Sequence, residues 1–534
     1  MTIDKITQAE IDSQLTPAAQ SNASGNFLSI NAGKAPTPRT PLFKDLSEDQ
    51  VLAEWYKVLD RYESMDVYTP LVEYDKSRRS KVGPQGGLRP LEERMDDLMA
   101  YWNLQPSREV SDNYLSDLDE DIIKEMRDEL FGVISDRRPL TPQTVIERDL
   151  RDGKLITNSG TPDYGKRNDP EIIANAISAV QDGSWKDYDM ILGSRSQRGK
   201  ERFIFIAPFA LNIVEKMYLY PLMDIIRSRN IPFFSAWEGF AEVERGFATQ
   251  NFFTEGNYYV QQDYTAMDKY FNEACAELVA AIISPVFQKS YEDDLSYLFI
   301  QHLLNIPVMI NLDKIISGQH GMPSGSGLTN FSETIVSMYI CKKLERDYDL
   351  QVSACQGLGD DLAISISTDL DPEDIKRILE SNSADLGLIV EPEKQGISQD
   401  TIVYLQRFFD KRIPNQGVVL GMYPSILALN TAMNPERYHS PAKWGAKMET
   451  LRWLMILENC KNLPYFTDLV DFFIKGDKLK LGLVEPDFFV TLPSTYEESK
   501  AIAGFVPSYN QESLERGIQD FEVVKYLLSK RSSV

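Results

Sequence analysis

Cysteine, histidine and long apolar runs are all scarce in this chain. Its four cysteines (Cys275, Cys341, Cys355 and Cys460) are 66, 14 and 105 residues apart. That spacing contains no CxxC pair and no zinc-knuckle pattern, and it argues against a disulfide framework, so the expected compartment is a reducing one. Only His302, His320 and His439 are available for histidine chemistry, too few for a histidine-centred metal site. The longest apolar stretch, around Glu277–Phe287, is interrupted by Ser284-Pro285. It falls far short of the roughly 20 residues a membrane span requires, and the polar start MTIDKITQAE lacks the apolar core of a signal peptide. Positive charge is also short: 56 Lys and Arg against 80 Asp and Glu give a net charge of −24. An acidic exterior argues against coating duplex nucleic acid by the outer surface, while leaving room for a basic channel inside.

What is present is a 534-residue chain, 43% hydrophobic and 25% charged, the composition of a folded enzyme-sized protein with several subdomains. Residues 1–42 are rich in Ser, Thr, Asn, Ala, Gly and Pro without apolar periodicity, which predicts a mobile arm or a strap over another surface. A helical pattern begins at Leu46–Asp60, and the run Asp117–Leu130 predicts an acidic amphipathic helix. The middle of the chain alternates short strands with helices, and the part after Arg412 is mostly helical, including Lys447–Cys460.

Four stretches carry chemistry. Between Arg195 and Arg202 four cations meet one acid, a local charge of +3, and alternation along a strand points Lys200 and Arg202 to one side, as a triphosphate requires. Asp263 and Asp268 end a predicted strand, where the first can ligate a cation and the second can face another part of the same ligand; a simple helix start at Asp268 is the plainer reading. Gly321–Asn330 (GMPSGSGLTN) is a Gly-rich loop leading into a helix. Its backbone can approach a phosphodiester or ribose closely, with Ser324, Thr329 and Asn330 adding neutral hydrogen bonds. Gly359-Asp360-Asp361 predicts a hairpin tip whose adjacent carboxylates, with a third on a neighbouring strand, form the oxygen-rich corner that Mg²⁺ uses alongside substrate phosphates. Each alone has an ordinary structural explanation, whether turn, cap or solvated face.

Taken in order, these stretches resemble the viral RNA-dependent RNA polymerases. TNSGTP and KERFI are similar to motifs G and F, DYTAMD to motif A, GMPSGSGLTN to motif B, GLGDD to motif C, GLIVEPEK to motif D and YLQRFF to motif E. The wording DYTAMDKY and SGSGLTNFSETI is most similar to the polymerases of picobirnaviruses and the related partitiviruses. The resemblance implies an α/β (α+β) right-hand fold whose palm is an RRM-like antiparallel sheet with helices. Residues 1–60 would be the arm, 61–215 and 285–320 the fingers, 216–284 and 321–412 the palm, and 413–534 a mostly helical thumb. It implies RNA synthesis from nucleoside triphosphates on an RNA template, with two Mg²⁺ or Mn²⁺ ions held by Asp263, Asp360 and, more weakly, Asp361, and with Lys394 as proton donor. Arg195, Arg198, Lys200 and Arg202 would meet the triphosphate. Asp268, Ser324, Thr329, Asn330 and Glu333 would surround the nucleotide, and Ser159, Gly160, Gly325, Gln406 and Arg407 would touch template or primer. Glu333 stands where many such polymerases carry Asn, so Asn330 and Glu333 are alternative supports for ribose recognition, and Gln406 stands where lysine is frequent. Implied partners are template and product RNA, nucleoside triphosphates and a viral capsid protein, with no membrane; the implied setting is the virion interior and the host cytoplasm. A reverse transcriptase normally places a bulky aromatic where Asp268 stands. A two-metal nuclease leaves the Pro-Ser-Gly loop unexplained, and a non-catalytic capsid-associated RNA-binding protein leaves the three aspartates unexplained.

Overall fold

The computed structural model describes residues 1–133, 136–437, 440–500 and 517–531, and of the three histidines His439 lies outside the described residues. Asp263 and the Gly359-Asp360-Asp361 stretch belong to one four-stranded sheet built from β4 (Tyr258–Asp263), β7 (Gln351–Leu358), β8 (Asp361–Ser367) and β9 (Gly396–Ser398). Its order is β7-β8-β4-β9, and every neighbouring pair is antiparallel. Helices Glu273–Ile283 and Thr329–Tyr348 lie between β4 and β7, and Pro372–Ala384 lies between β8 and β9, giving a β-α-β-β-α-β plait. The central strand β8 is buried from Leu362 to Ile366, as its near-continuous apolar sequence requires. One side is covered by the core that includes Phe331, Ile335 and Tyr339 of the helix Thr329–Tyr348. A cluster of Phe252, Tyr259, Tyr404 and Phe409 forms a second core against Ala363.

The second sheet comprises β1 (Thr2–Lys5), β2 (Met190–Gln197), β3 (Lys200–Ile206), β5 (Val308–Asn311) and β6 (Lys314–Ser317), in the order β1-β6-β5-β2-β3. The basic segment therefore forms the β2–β3 hairpin at one edge, with Arg195 opposite Arg202. No helix among the described residues is long and apolar enough to cross a membrane, and all four cysteines are free thiols.

The arm corrects one expectation. Far from lacking regular structure, it pairs β1 with β6 and continues as helices α1 (Gln8–Gln14) and α2 (Pro17–Ala32). Thr7 and Glu10 form a capping box, and Thr16 caps α2 just before Pro17. Ala19, Ala23 and Phe27 recur every fourth residue and bury against Ile191 and Met309, a stripe of small side chains that low hydrophobicity conceals in the sequence. The arm is thus a strap. Beyond α2 it crosses to the C-terminal region, where Thr37 Oγ1 donates to the Glu436 carbonyl at 2.7 Å and Thr40 Oγ1 to that of Ala432 at 2.9 Å. Helices α3 (Glu48–Glu63) and α4 (Thr69–Ser77) share a core with the C-terminal helices Ser425–Met433, Pro441–Glu458 and Phe466–Gly476. Trp55 lies at its centre, and its Nε1 donates to Ser425 Oγ at 2.7 Å.

Candidate active site

The β7–β8 hairpin turns through two residues, Gly359 and Asp360, with Gly359 at φ +60, a backbone conformation that favours glycine at the first position of such a turn. A β-carbon there would also lie 2.8 Å from Asn330 Oδ1. The ladder register then sets Asp361 directly opposite Asp263 of β4, with Asp360 at the tip beside them. These carboxyls perturb one another. Burial, then the charges of Asp360 and Asp263, push Asp361 up to about 7. Loss of hydration raises Asp360, reinforced by Asp263 and Asp268. Burial raises Asp263 as well, opposed by Lys200 and Lys394. Crowded hard-oxygen donors of this kind fit a divalent cation, whose charge removes the repulsion. Among the described residues no three acidic, histidine or cysteine side chains are placed to hold a metal ion by themselves.

The four expected phosphate-binding cations divide into two pairs. Lys200 and Arg202 are exposed on β3, and among the described residues their side chains make no hydrogen bond or ion pair; their charges reach Asp263 and Asp360 respectively. Arg195 is committed to Glu436, with Nε 2.5 Å from Oε1 and Nη2 2.8 Å from Oε2. Arg198 donates to Gln406 Oε1 and, at 3.0 Å, to the Tyr423 hydroxyl. Arg195 and Arg198 therefore tie the β2–β3 hairpin to the C-terminal region, a use of charge that local sequence does not disclose. Lys81 joins the unpaired group: burial lowers its pKa, helped by Arg78, Arg198 and Lys200, while Asp263 opposes. Its signal was the short basic run Arg78-Arg79-Ser80-Lys81.

The Gly-rich loop is held from beneath by a buried polar network. Glu215 accepts from Ser326 Oγ at 2.5 Å, the Gly327 amide at 2.6 Å and Asn212 Nδ2 at 2.8 Å, while Arg167 Nη2 donates to Asn212 Oδ1 at 2.6 Å. A β-carbon on Gly325 would stand 1.7 Å from the Phe205 carbonyl oxygen, so this glycine permits the loop to touch β3. Thr329 is half-buried, and its Oγ1 donates to the Pro323 carbonyl at 2.8 Å. Ser324 and Asn330 are exposed. Glu333 is buried, and burial, followed by the charges of Asp360 and Asp268, raises its pKa well above the usual carboxyl range. Asp268 Oδ2 accepts from the Tyr101 hydroxyl at 2.6 Å.

Three residues expected to touch RNA, Ser159, Gly160 and Arg407, are packed within the protein. Ser159 is 1% exposed, and its Oγ accepts from the Gly165 amide at 3.0 Å. Gly160 has φ +64, and a β-carbon there would lie 2.5 Å from the Ala207 carbonyl oxygen. Arg407 is fully buried, donating to the Asn459 carbonyl at 3.1 Å with its guanidinium 3.8 Å from the centre of the Phe240 ring. The reason is the hairpin of β10 (Thr401–Tyr404) and β11 (Arg407–Asp410), whose two-residue turn leaves Gln406 at the tip and carries Arg407 inward. Lys394 is exposed, and its Nζ lies 2.6 Å from Glu391 Oε1, a hydrogen bond that raises the lysine's pKa. Tyr101, Glu215 and Asn212 had no local signal, since each meets the site through packing across more than 100 residues of sequence.

Residues 193–462 match the family model of viral RNA-dependent RNA polymerases. The chain is 30% identical to a potential RNA-dependent RNA polymerase of Human picobirnavirus (strain Human/Thailand/Hy005102/-), over 95% of this chain and 96% of that one. It is 27% identical, over 41% of its own length and 42% of the relative's, to an RNA-directed RNA polymerase of Cryptosporidium parvum virus 1 (strain KSU-1). Among solved structures, the RNA-dependent RNA polymerase of a human picobirnavirus superposes with a TM-score of 0.81 at 25% identity, covering 98% of this chain and 100% of that one. An insertion-loop deletion mutant of such a polymerase gives 0.80 at the same identity and coverage.

Proposed function

Because this chain belongs to the viral RNA-dependent RNA polymerases, and is the RNA-directed RNA polymerase of a picobirnavirus-like virus, we propose that it replicates and transcribes a double-stranded RNA genome by nucleotidyl transfer assisted by two divalent cations. The observation that carries this reading is the set of mutually crowded carboxyls, Asp263, Asp360 and Asp361, near Lys200 and Arg202, whose side chains have no partner among the described residues. Asp263 and Asp360 would hold Mg²⁺ or Mn²⁺, with Asp361 a weaker third. When bound, such ions activate an attacking 3′-hydroxyl and stabilise the departing pyrophosphate. Lys200 and Arg202 neutralise the triphosphate and orient its α-phosphate. Asp268 accepts a hydrogen bond from the ribose 2′-hydroxyl, supported by Asn330 or Glu333. Lys394, once released from Glu391, hands its proton to the pyrophosphate oxygen.

In this reading residues 61–215 and 285–320 are fingers, 216–284 and 321–412 palm, and 413–534 thumb. Gln406 serves primer positioning from its hairpin tip. The enzyme works in the virion interior and the host cytoplasm, with the capsid protein as its partner. Purified protein incubated with single-stranded RNA, four nucleoside triphosphates and Mg²⁺ should yield full-length complementary RNA. Shortened template would instead indicate a two-metal nuclease, and a gel shift without synthesis a non-catalytic RNA-binding protein.

A further inference from the structure

We propose that Tyr101 is a positioning residue for sugar selection: its hydroxyl fixes the Asp268 carboxylate in the orientation that receives the 2′-hydroxyl of the incoming nucleotide. The proposal rests on the polymerase reading above and adds to it a residue that lies outside every recognised motif.

Tyr101 belongs to the helix Met95–Asn103, more than 150 residues before Asp268, and is 5% exposed. It joins three segments of the site. Its hydroxyl donates to Asp268 Oδ2 at 2.6 Å. Its carbonyl accepts from the Gly321 amide at 2.8 Å, where the Gly-rich loop begins. Its ring meets Phe205 of β3 edge-on, with centroids 4.8 Å apart, on the strand that carries Arg202. The same corner is closed by the Met322 amide donating to the Asp268 carbonyl at 2.7 Å, by Gln105 Nε2 donating to the Lys269 carbonyl, and by Lys269 Nζ lying 5.2 Å from the centre of the Tyr101 ring.

Asp268 sits on a single short helical turn, Met267–Tyr270, that follows Ala266 at φ +50. Nothing in so short an element fixes a side chain by itself, so the direction of the carboxylate depends on what it is bonded to. A carboxylate accepts several hydrogen bonds, and a tyrosine hydroxyl on one oxygen leaves lone pairs for a second donor. Burial and the nearby Asp268 drive the Tyr101 phenol far above its ordinary pKa, so it remains a donor throughout the working pH range. With Tyr101 in place, a ribose hydroxyl arrives at an acceptor already aimed. A deoxyribose leaves that acceptor partly unsatisfied, which is how a site built for a hydroxyl discriminates.

The test compares kcat/KM for a ribonucleotide and its 2′-deoxy counterpart on one primed RNA template. Tyr101→Phe keeps the ring against Phe205 and deletes only the hydroxyl; a thermal melt verifies that it is folded. The ribo-to-deoxy ratio should fall by about ten-fold or more, the effect of one hydrogen bond to a charged group, with the deoxynucleotide rate changing much less. Adding Tyr101→Phe to Asp268→Ala should give no further fall. Trp102→Phe, which removes the Nε1 bond to the Gly318 carbonyl from the same helix, should leave the ratio unchanged even where the overall rate drops. An unchanged ratio in Tyr101→Phe, or an equal fall in Trp102→Phe, overturns the inference. Failure of the wild-type protein to extend with ribonucleotides at all overturns the polymerase reading instead.

Discussion

Glu215, wholly buried in the helix Phe209–Arg229, holds Ser326 Oγ at 2.5 Å and so anchors the Gly-rich loop to an element formed 111 residues earlier. Burial raises the pKa of this carboxyl, and hydrogen bonds from Ser326, Asn212 and Gly327 oppose the rise. Glu215→Ala leaves the Gly327 amide and the Ser326 hydroxyl without their acceptor, while Asn212 Nδ2 keeps the Gly325 carbonyl at 3.1 Å. It should lower stability by about 3 kcal/mol in urea unfolding, more than Ser326→Ala at about 1–2 kcal/mol. Additive effects in the double variant would show that the two residues are not coupled.

Asp263→Ala and Asp360→Ala should each abolish nucleotide addition, because the site loses a carboxylate at the point where charge develops. Template binding depends on cations elsewhere and should change by less than about two-fold in filter binding. Substantial elongation by Asp360→Ala would remove that residue from the metal-binding set. Asp361→Asn should be the mildest of the three.

The division among the basic residues gives an ordered expectation. Lys200→Gln and Arg202→Gln should each raise the KM for nucleoside triphosphate by roughly ten-fold, as expected for lost hydrogen bonds to a charged phosphate. Arg195→Gln removes a guanidinium already paired with Glu436 and should raise KM by less than about three-fold. Steady-state kinetics at two salt concentrations check the order, and Lys81→Gln should behave like Lys200→Gln.

A pH dependence follows from Asp189, which is 8% exposed and which burial pushes up from the ordinary 3.8 to about 7. Because the folded-state pKa lies above the unfolded one, the folded protein retains a proton that the unfolded chain releases between those values. The stability tied to this group is therefore fully present below about pH 4, declines as pH rises to about 7, and is level above that. At about 1.4 kcal/mol per pH unit the loss is at most about 4 kcal/mol. Asp189→Asn removes this slope, so melting curves for variant and wild type should diverge from pH 5 to pH 8 in favour of the variant.

Residues whose chemistry is local were readable from the chain alone. The Gly359-Asp360 turn, the strand ending at Asp263 and the loop-to-helix junction at Thr329 each carry their own short-range instructions. Other residues owe their positions to contacts that local sequence does not disclose. Arg407 reads as a free cation until its hairpin is docked on Phe240 and Asn459. Thr329 is placed by the loop curling back on Pro323. Tyr101 carries no signal, because nothing in the run Met95–Asn103 states that Asp268 will stand over it. In the arm the strap was legible but its regular structure was not: Ala19 and Ala23 bury little area each, yet with Phe27 they pack against Ile191 and Met309 of the sheet.

That arm is fastened at both ends, by the β1–β6 ladder at one and by Trp55 within the C-terminal core at the other. Together with the Arg195–Glu436 bond it ties the five-stranded sheet to the C-terminal helices at two separate points. Parting that sheet from the C-terminal helices therefore requires breaking both ties, so Arg195→Gln alone should leave them joined.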